Sequence, residues 1–74
     1  DLVFVDGSHQ YEDVLFDLTS WWSHLKSKGM MVVHDSTGDP RFHPQVRRAL
    51  DKFCESHRVE NRVLRDSITW MMKP

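Results

Sequence analysis

Cysteine is almost missing: Cys54 is the only one in 74 residues. That excludes an internal disulfide framework and a four-thiol zinc site, and it fits a reducing, cytoplasmic compartment. Glycine is scarce as well, with three in the chain, and no glycine-rich phosphate loop can be assembled from them. There is no surplus of either charge, since Lys plus Arg is 10 and Asp plus Glu is 11. A dedicated nucleic-acid binder normally carries a basic excess, so no nucleic-acid partner is expected. No apolar run approaches the roughly 20 residues of a membrane span, and no membrane partner is expected either. Low-complexity tracts, linkers and internal repeats are also lacking.

What remains is a globular composition, 39% hydrophobic and 28% charged. A chain of this size buries only about 60% of its unfolded surface. Small domains of that kind usually add disulfides or a metal. The expectation is therefore a piece of something larger. Asp1-Leu2-Val3-Phe4-Val5 already reads as the inside of a buried strand.

Leu2 to Val5 is a short continuous apolar run closed by Asp6-Gly7-Ser8. A strand apolar on both faces is expected in the centre of a parallel sheet. Tyr11, Val14, Leu15, Leu18, Trp21, Trp22 and Leu25 then recur at spacings of three and four, which predicts a helix. Ser8 or His9 would cap it, Glu12 and Asp13 suit its first turn, and Gly29 its C-terminal cap. Met30 to Val33 is a second apolar run, closed by His34-Asp35-Ser36. Strand, helix and strand predict a right-handed βαβ crossover. Pro44 opens a second helix, with Val46, Ala49, Leu50, Phe53 and Cys54 as its apolar stripe, ending near His57. Val59 to Leu64 reads as a weak strand. Ile68, Trp70 and Met72, alternating with Thr69, Met71 and Lys73, read as a clearer half-buried one. The short Arg65-Asp66-Ser67 turn makes these two an antiparallel pair. The predicted class is α/β: two parallel strands with a crossover helix, a second helix and a terminal antiparallel strand pair.

Two polar clusters follow the two parallel strands at their carboxyl ends, where open α/β sheets bind ligands. One holds Asp6 and His9, the other His34 and Asp35. Neighbouring strands lie about 4.8 Å apart, so Asp6 and Asp35 can share one divalent ion, with His34 beside them. His9, at the turn into the first helix, suits a general base. Each residue also has an ordinary reading: a turn former at Asp6, a helix-start residue at His9, a backbone-bonded imidazole at His34 and a loop cap at Asp35. Singly these are the commoner outcome; it is the pairing of two clusters that points to a site. Other features are weaker. Trp21 and Trp22 suggest one ring packed on the sheet and one at a rim. Arg41, Arg47 and Arg48 suggest a solvated helix face. Cys54 suggests an inert buried thiol. His43 and His57 have no partner at ligand spacing.

The run Asp1-Leu-Val-Phe-Val-Asp-Gly-Ser-His-Gln-Tyr-Glu-Asp-Val, with Asp17-Leu18, Trp21, Gly29-Met-Met-Val-Val-His-Asp35 and Val46-Arg47-Arg48-Ala49, resembles the C-terminal half of class I S-adenosylmethionine-dependent methyltransferases. The nearest subgroup is that of small-molecule and sugar O-methyltransferases and cephalosporin hydroxylase-like proteins. The resemblance covers most of the chain and is weakest over 59–74. It implies a Rossmann-like, seven-stranded sheet of which residues 1–74 supply the fourth strand to the seventh. The N-terminal cofactor-binding half would lie before Asp1, so no S-adenosylmethionine contact is assigned here. It also implies Mg²⁺ held at Asp6, His34 and Asp35, and His9 as the base that deprotonates a small-molecule hydroxyl. Metal-dependent members often carry an acidic residue where His34 stands. The expected function is O-methyl transfer by the complete domain, with the 74 residues alone inactive and a homo-oligomer conceivable. Two other functions fit the residues less well: a non-catalytic interaction module descended from such a domain, and a small metal-dependent hydrolase.

Overall fold

The computed structural model describes residues 2–5, 7, 9–36, 39, 41 and 43–74. Six elements follow one another: β1 (Leu2–Val5), α1 (Tyr11–His24), β2 (Met30–His34), α2 (Pro44–His57), β3 (Val63–Arg65) and β4 (Ile68–Met72). The strands form one mixed sheet in the order β1-β2-β4-β3. β1 and β2 are parallel, with Val3 opposite Met31 and Val5 opposite Val33. β4 runs antiparallel to β2 on its other side, and β3 antiparallel to β4 at the far edge. This is the predicted α/β class, compatible with part of a Rossmann-like methyltransferase sheet. The terminal pair is inserted with its later strand inward, so β4 and not β3 meets β2.

The strand registers sort side chains into two faces, because residues alternate across a pleated strand. Val3, Met31 and Met71 form one row, and Val5, Val33 and Thr69 the next. Both helices pack on this face. Val14, Leu18 and Trp22 of α1 meet Val46, Ala49, Leu50, Phe53 and Cys54 of α2 over these rows, in a single core. Phe53, Leu18, Met31, Leu50 and Met71 are fully buried. The Trp22 and Phe53 rings meet edge to face at 5.4 Å, a geometry aromatic pairs favour. In β4 it is therefore Thr69 and Met71 that turn inward. Ile68, Trp70 and Met72 lie on the opposite face, although their alternation marked them as the apolar set.

That opposite face differs from the sequence expectation for β1. Leu2, Met30 and Met72 form a row there, as do Phe4, Val32 and Trp70. Leu2 is 65% exposed and Phe4 53%. β1 is apolar on both faces, as a central strand would be, yet here it is an edge strand covered on one face. The cause is topological: both helices lie on one side of the sheet.

The helix ends are set by chain geometry more than by side-chain caps. Gln10, in extended conformation, is the N-cap of α1 and makes no side-chain cap bond. Its carbonyl accepts from the Val14 N–H at 2.9 Å. The caps expected at Ser8 or His9 are thus displaced: His9 precedes the cap, and Ser8 lies outside the described residues. At the other end Leu25 is the C-cap, not Gly29. Gly29 is required for space. A Cβ there would stand 2.6 Å from Leu25 Cδ1 and 2.9 Å from the Lys26 carbonyl oxygen. α2 starts with Pro44 in its first turn, where the missing N–H costs nothing. It ends at His57, with Arg58 in the left-handed region. The two-residue link between β3 and β4 places Asp66 at φ 55.

Candidate functional site

The parallel pairing of Val5 with Val33 brings the carboxyl ends of β1 and β2 side by side. The turn from β1 into α1 carries His9, and the first residue beyond β2 is Asp35. Since Gln10 holds the helix start, the His9 imidazole is released from capping. It reaches across to Asp35, with Nε2 at 2.7 Å from Oδ2. The other carboxylate oxygen, Oδ1, lies 3.0 Å from His34 Nδ1. Burial alone would push the Asp35 carboxyl up. The hydrogen bonds from His9 and His34, with the nearby His34 and His43 rings, outweigh it and hold Asp35 below the usual carboxylate range. An ionised carboxylate can only accept, so the imidazole N–H donates.

His43 completes the cluster. Its ring stacks on that of His9, with centroids 3.6 Å apart and planes 15° from parallel. His9, Asp35 and His43 each present a ligand atom within 4.8 Å of the others. Two of the three backbone positions are unusual. Asp35 has φ 58 and His43 φ 51, both left-handed. Non-glycine residues adopt that region at a cost of roughly 1 kcal/mol or more, and such residues gather at functional sites. The strain at Asp35 is held from the next residue. Ser36 is wholly buried. Its N–H donates to the Ser67 carbonyl at 3.0 Å. Its Oγ donates to the Val33 carbonyl at 3.1 Å and lies 2.8 Å from Thr69 Oγ1. β4 thus clamps the loop that aims Asp35.

The predicted residues fare unequally. His9, His34 and Asp35 come together. Asp6 lies outside the described residues, as do Thr37 and Gly38 in the loop after Ser36. His43 has no partner at ligand spacing in the sequence, yet it is central to the cluster. The signal was Pro44, which marks residue 43 as the N-cap of a helix entered from the carboxyl end of β2. His57 stacks on Phe53 at 4.4 Å, away from the cluster. Trp22 is the packed tryptophan and Trp21 the exposed one. The arginines are engaged locally: Arg41 with Asp39, Arg47 with Asp51, Arg48 with Gln45. Cys54 is buried. Its Sγ faces Met71 Sδ at 3.9 Å. A larger groove, lined by Trp22, His57, Val59, Met72 and Lys73, opens at the opposite end of the sheet and holds no comparable cluster.

Residues 1–36 match the family model of a methyltransferase domain. The matched segment contains β1, α1, β2 and the His9–Asp35 pair, and stops before His43. An uncharacterized protein of Acanthamoeba polyphaga mimivirus, R132, is 38% identical over 52 residues. That alignment covers 70% of this chain and 23% of the viral protein. No solved structure is significantly similar. Among the described residues no helix is long and apolar enough to cross a membrane. The methyltransferase match is therefore carried by the same crossover unit that builds the site.

Proposed function

We propose that the chain is the acceptor-activating, C-terminal part of an S-adenosylmethionine-dependent O-methyltransferase acting on a small-molecule hydroxyl. The grip on S-adenosylmethionine comes from residues outside 1–74. The observation that carries this reading is the 2.7 Å contact between His9 and Asp35, inside the segment that matches a methyltransferase domain.

The cofactor supplies an electrophilic methyl group on a sulfonium. The work of this chain is on the acceptor. Asp35, held ionised, accepts the Nε2–H of His9. In the neutral ring this leaves the lone pair on Nδ1, so Nδ1 is the basic atom. A substrate hydroxyl within about 2.6–3.2 Å of it can give up its proton as the oxygen attacks. The imidazolium formed is stabilised by the Asp35 carboxylate, as in other base–orienter pairs. His43, stacked on the ring, holds its plane.

Mg²⁺ at Asp6, His34 and Asp35 is the remaining expectation from the resemblance. Mg²⁺ prefers a shell of oxygen ligands. Asp6 lies outside the described residues, and the described part of that set is one carboxylate, Asp35, and one imidazole, His34. No step of the mechanism is assigned to Mg²⁺.

The test uses this chain and a longer version extended upstream of Asp1, with S-adenosylmethionine binding followed by calorimetry and label transfer followed to a panel of hydroxyl compounds. His9→Gln should lower kcat by about 10²- to 10⁴-fold and leave cofactor affinity unchanged. Absence of cofactor binding by both versions would sink the reading. One observation favours a second reading, a non-catalytic interaction module: the exposed apolar side chains Leu2, Phe4 and Met72 on the uncovered face of the sheet. The same absence of cofactor binding, with self-association of the chain, would promote it.

A further inference from the structure

We infer that His9, Asp35 and His43 form a binding site for a borderline divalent ion of the Zn²⁺ type. Imidazole suits Zn²⁺, Cu²⁺, Fe²⁺ and Ni²⁺, while carboxylate and water suit Mg²⁺ and Ca²⁺. Two imidazoles and one carboxylate, with a position left open to water, are the ligand set of many zinc centres. Their ligand atoms already lie within 4.8 Å of one another. A tetrahedral ion with bonds of about 2.0–2.1 Å needs donors about 3.3 Å apart. The closure required is about 1.5 Å, within reach of side-chain rotation at two exposed histidines. The His9 side chain is 42% exposed and that of Asp35 22%, so an ion can enter from solvent. The stacked rings would turn their nitrogens toward the ion. His34 Nδ1, 3.0 Å from Asp35 Oδ1, is in contact with the other carboxylate oxygen.

Two features show that the arrangement is held by the fold. Asp35 and His43 are the first and last residues of the β2–α2 connection, and both sit at left-handed φ. The Asp35 loop is fixed by the buried Ser36–Thr69 contact. The ion would take His9 as a ligand and so remove it from proton transfer. Zn²⁺ then acts on the proposed reaction as an inhibitor that competes with the acceptor. The binding itself does not depend on the methyl-transfer reading.

The experiment titrates Co²⁺, as a spectroscopic stand-in, into the 74-residue chain and follows its visible absorption, then displaces it with Zn²⁺ and with Mg²⁺. Asparagine tolerates left-handed φ, so His43→Asn and Asp35→Asn remove ligands without new backbone strain. Circular dichroism checks that each variant is folded. His57→Ala is the control outside the cluster. The expected result is tetrahedral Co²⁺ absorption, displacement by Zn²⁺ and not by Mg²⁺, a loss of affinity of about 10-fold or more in either asparagine variant, and no change in His57→Ala. Equal binding of Mg²⁺ and Zn²⁺, or an unchanged Zn²⁺ affinity in folded His43→Asn, overturns the proposal. Metal binding as described in a protein that never binds S-adenosylmethionine overturns only the proposed function. Cofactor binding without Co²⁺ absorption overturns only the metal site.

Discussion

The clamp beneath Asp35 offers a sharp test of how the fold supports the site. Ser36 Oγ has one proton and donates it to the Val33 carbonyl. Either hydroxyl can donate in the 2.8 Å contact with Thr69, which is 1% exposed; with the Ser36 proton on the Val33 carbonyl, Thr69 is the donor to Ser36 Oγ, and that assignment is what the variants test. The two residues are not equivalent partners. Ser36→Ala removes two hydrogen bonds and leaves Thr69 Oγ1 buried without its acceptor. A net bond is worth about 1 kcal/mol and an orphaned buried group about 1–3, so a loss of about 2 kcal/mol is expected. Thr69→Val keeps the Ser36–Val33 bond and nearly the same volume, and should cost about 1 kcal/mol or less. The double variant removes the orphan and should be no worse than Ser36→Ala, giving a coupling of about 1 kcal/mol. At about 0.05–0.15 kcal/mol per residue, a chain of this length has roughly 4–11 kcal/mol to lose, so every variant stays folded in water. Urea unfolding, with a slope near 1 kcal/mol/M for so small a chain, should show the Ser36→Ala midpoint about 2 M lower. Additivity within about 0.3–0.5 kcal/mol, or a Thr69→Val loss as large as that of Ser36→Ala, would refute the donor assignment.

Three further outcomes follow from packing and burial. Gly29→Ala must push a methyl group into Leu25 and the Lys26 carbonyl oxygen, and should destabilise by about 1–3 kcal/mol in urea titration; a neutral result would mean the turn yields freely. Phe53→Ala empties the centre of the core between Trp22 and His57, at an expected 3–5 kcal/mol, enough to lower the thermal midpoint by more than 10 °C; a smaller shift would argue against a single core. Burial pushes the Cys54 thiol up, beyond what Arg62 restores. The neutral thiol therefore favours folding below the unfolded value of about 8.5, and that contribution fades as pH rises past it. Alkylation by iodoacetamide should be slow at neutral pH in the folded chain and fast in urea, and equal rates would contradict the burial.

Most of the fold could be read from the chain because its elements obey local rules. Continuous apolar runs gave β1 and β2, a spacing of three and four gave α1, and Pro44 gave the start of α2. The errors have a common physical origin. Alternation in β4 identified the strand but not its buried face, because burial is decided by what lies across the sheet. Met31 and Val33 place Met71 and Thr69 inward, and Ser36 gives Thr69 a hydrogen bond that makes a polar residue acceptable there. Likewise the position of Gly29 after a helix suggests a cap, whereas its role is set by the approach of Leu25, which no local pattern reports.

The site was half legible for a related reason. His9 and Asp35 follow strands that local pattern already placed side by side, so their meeting could be argued from the crossover alone. His43 belongs to another class of residue. It lies outside any short motif with His9 or Asp35, and only the return of the chain into α2, over the carboxyl end of β2, brings it onto the His9 ring. The left-handed backbone at His43 bears on what the residue is for. A histidine tolerates that region better than a β-branched residue, but asparagine or glycine would serve the N-cap more easily. A backbone need alone does not call for an imidazole. The 3.6 Å stack on His9 does use one. If the side chain is there for its ring, His43→Phe should preserve the stack, at some cost in backbone strain, while abolishing Co²⁺ binding, and His43→Asn should lose both the stack and the metal. If it is there only for its backbone, His43→Gly should stabilise the chain and leave metal affinity intact. The two accounts predict opposite outcomes from the same calorimeter and the same titration.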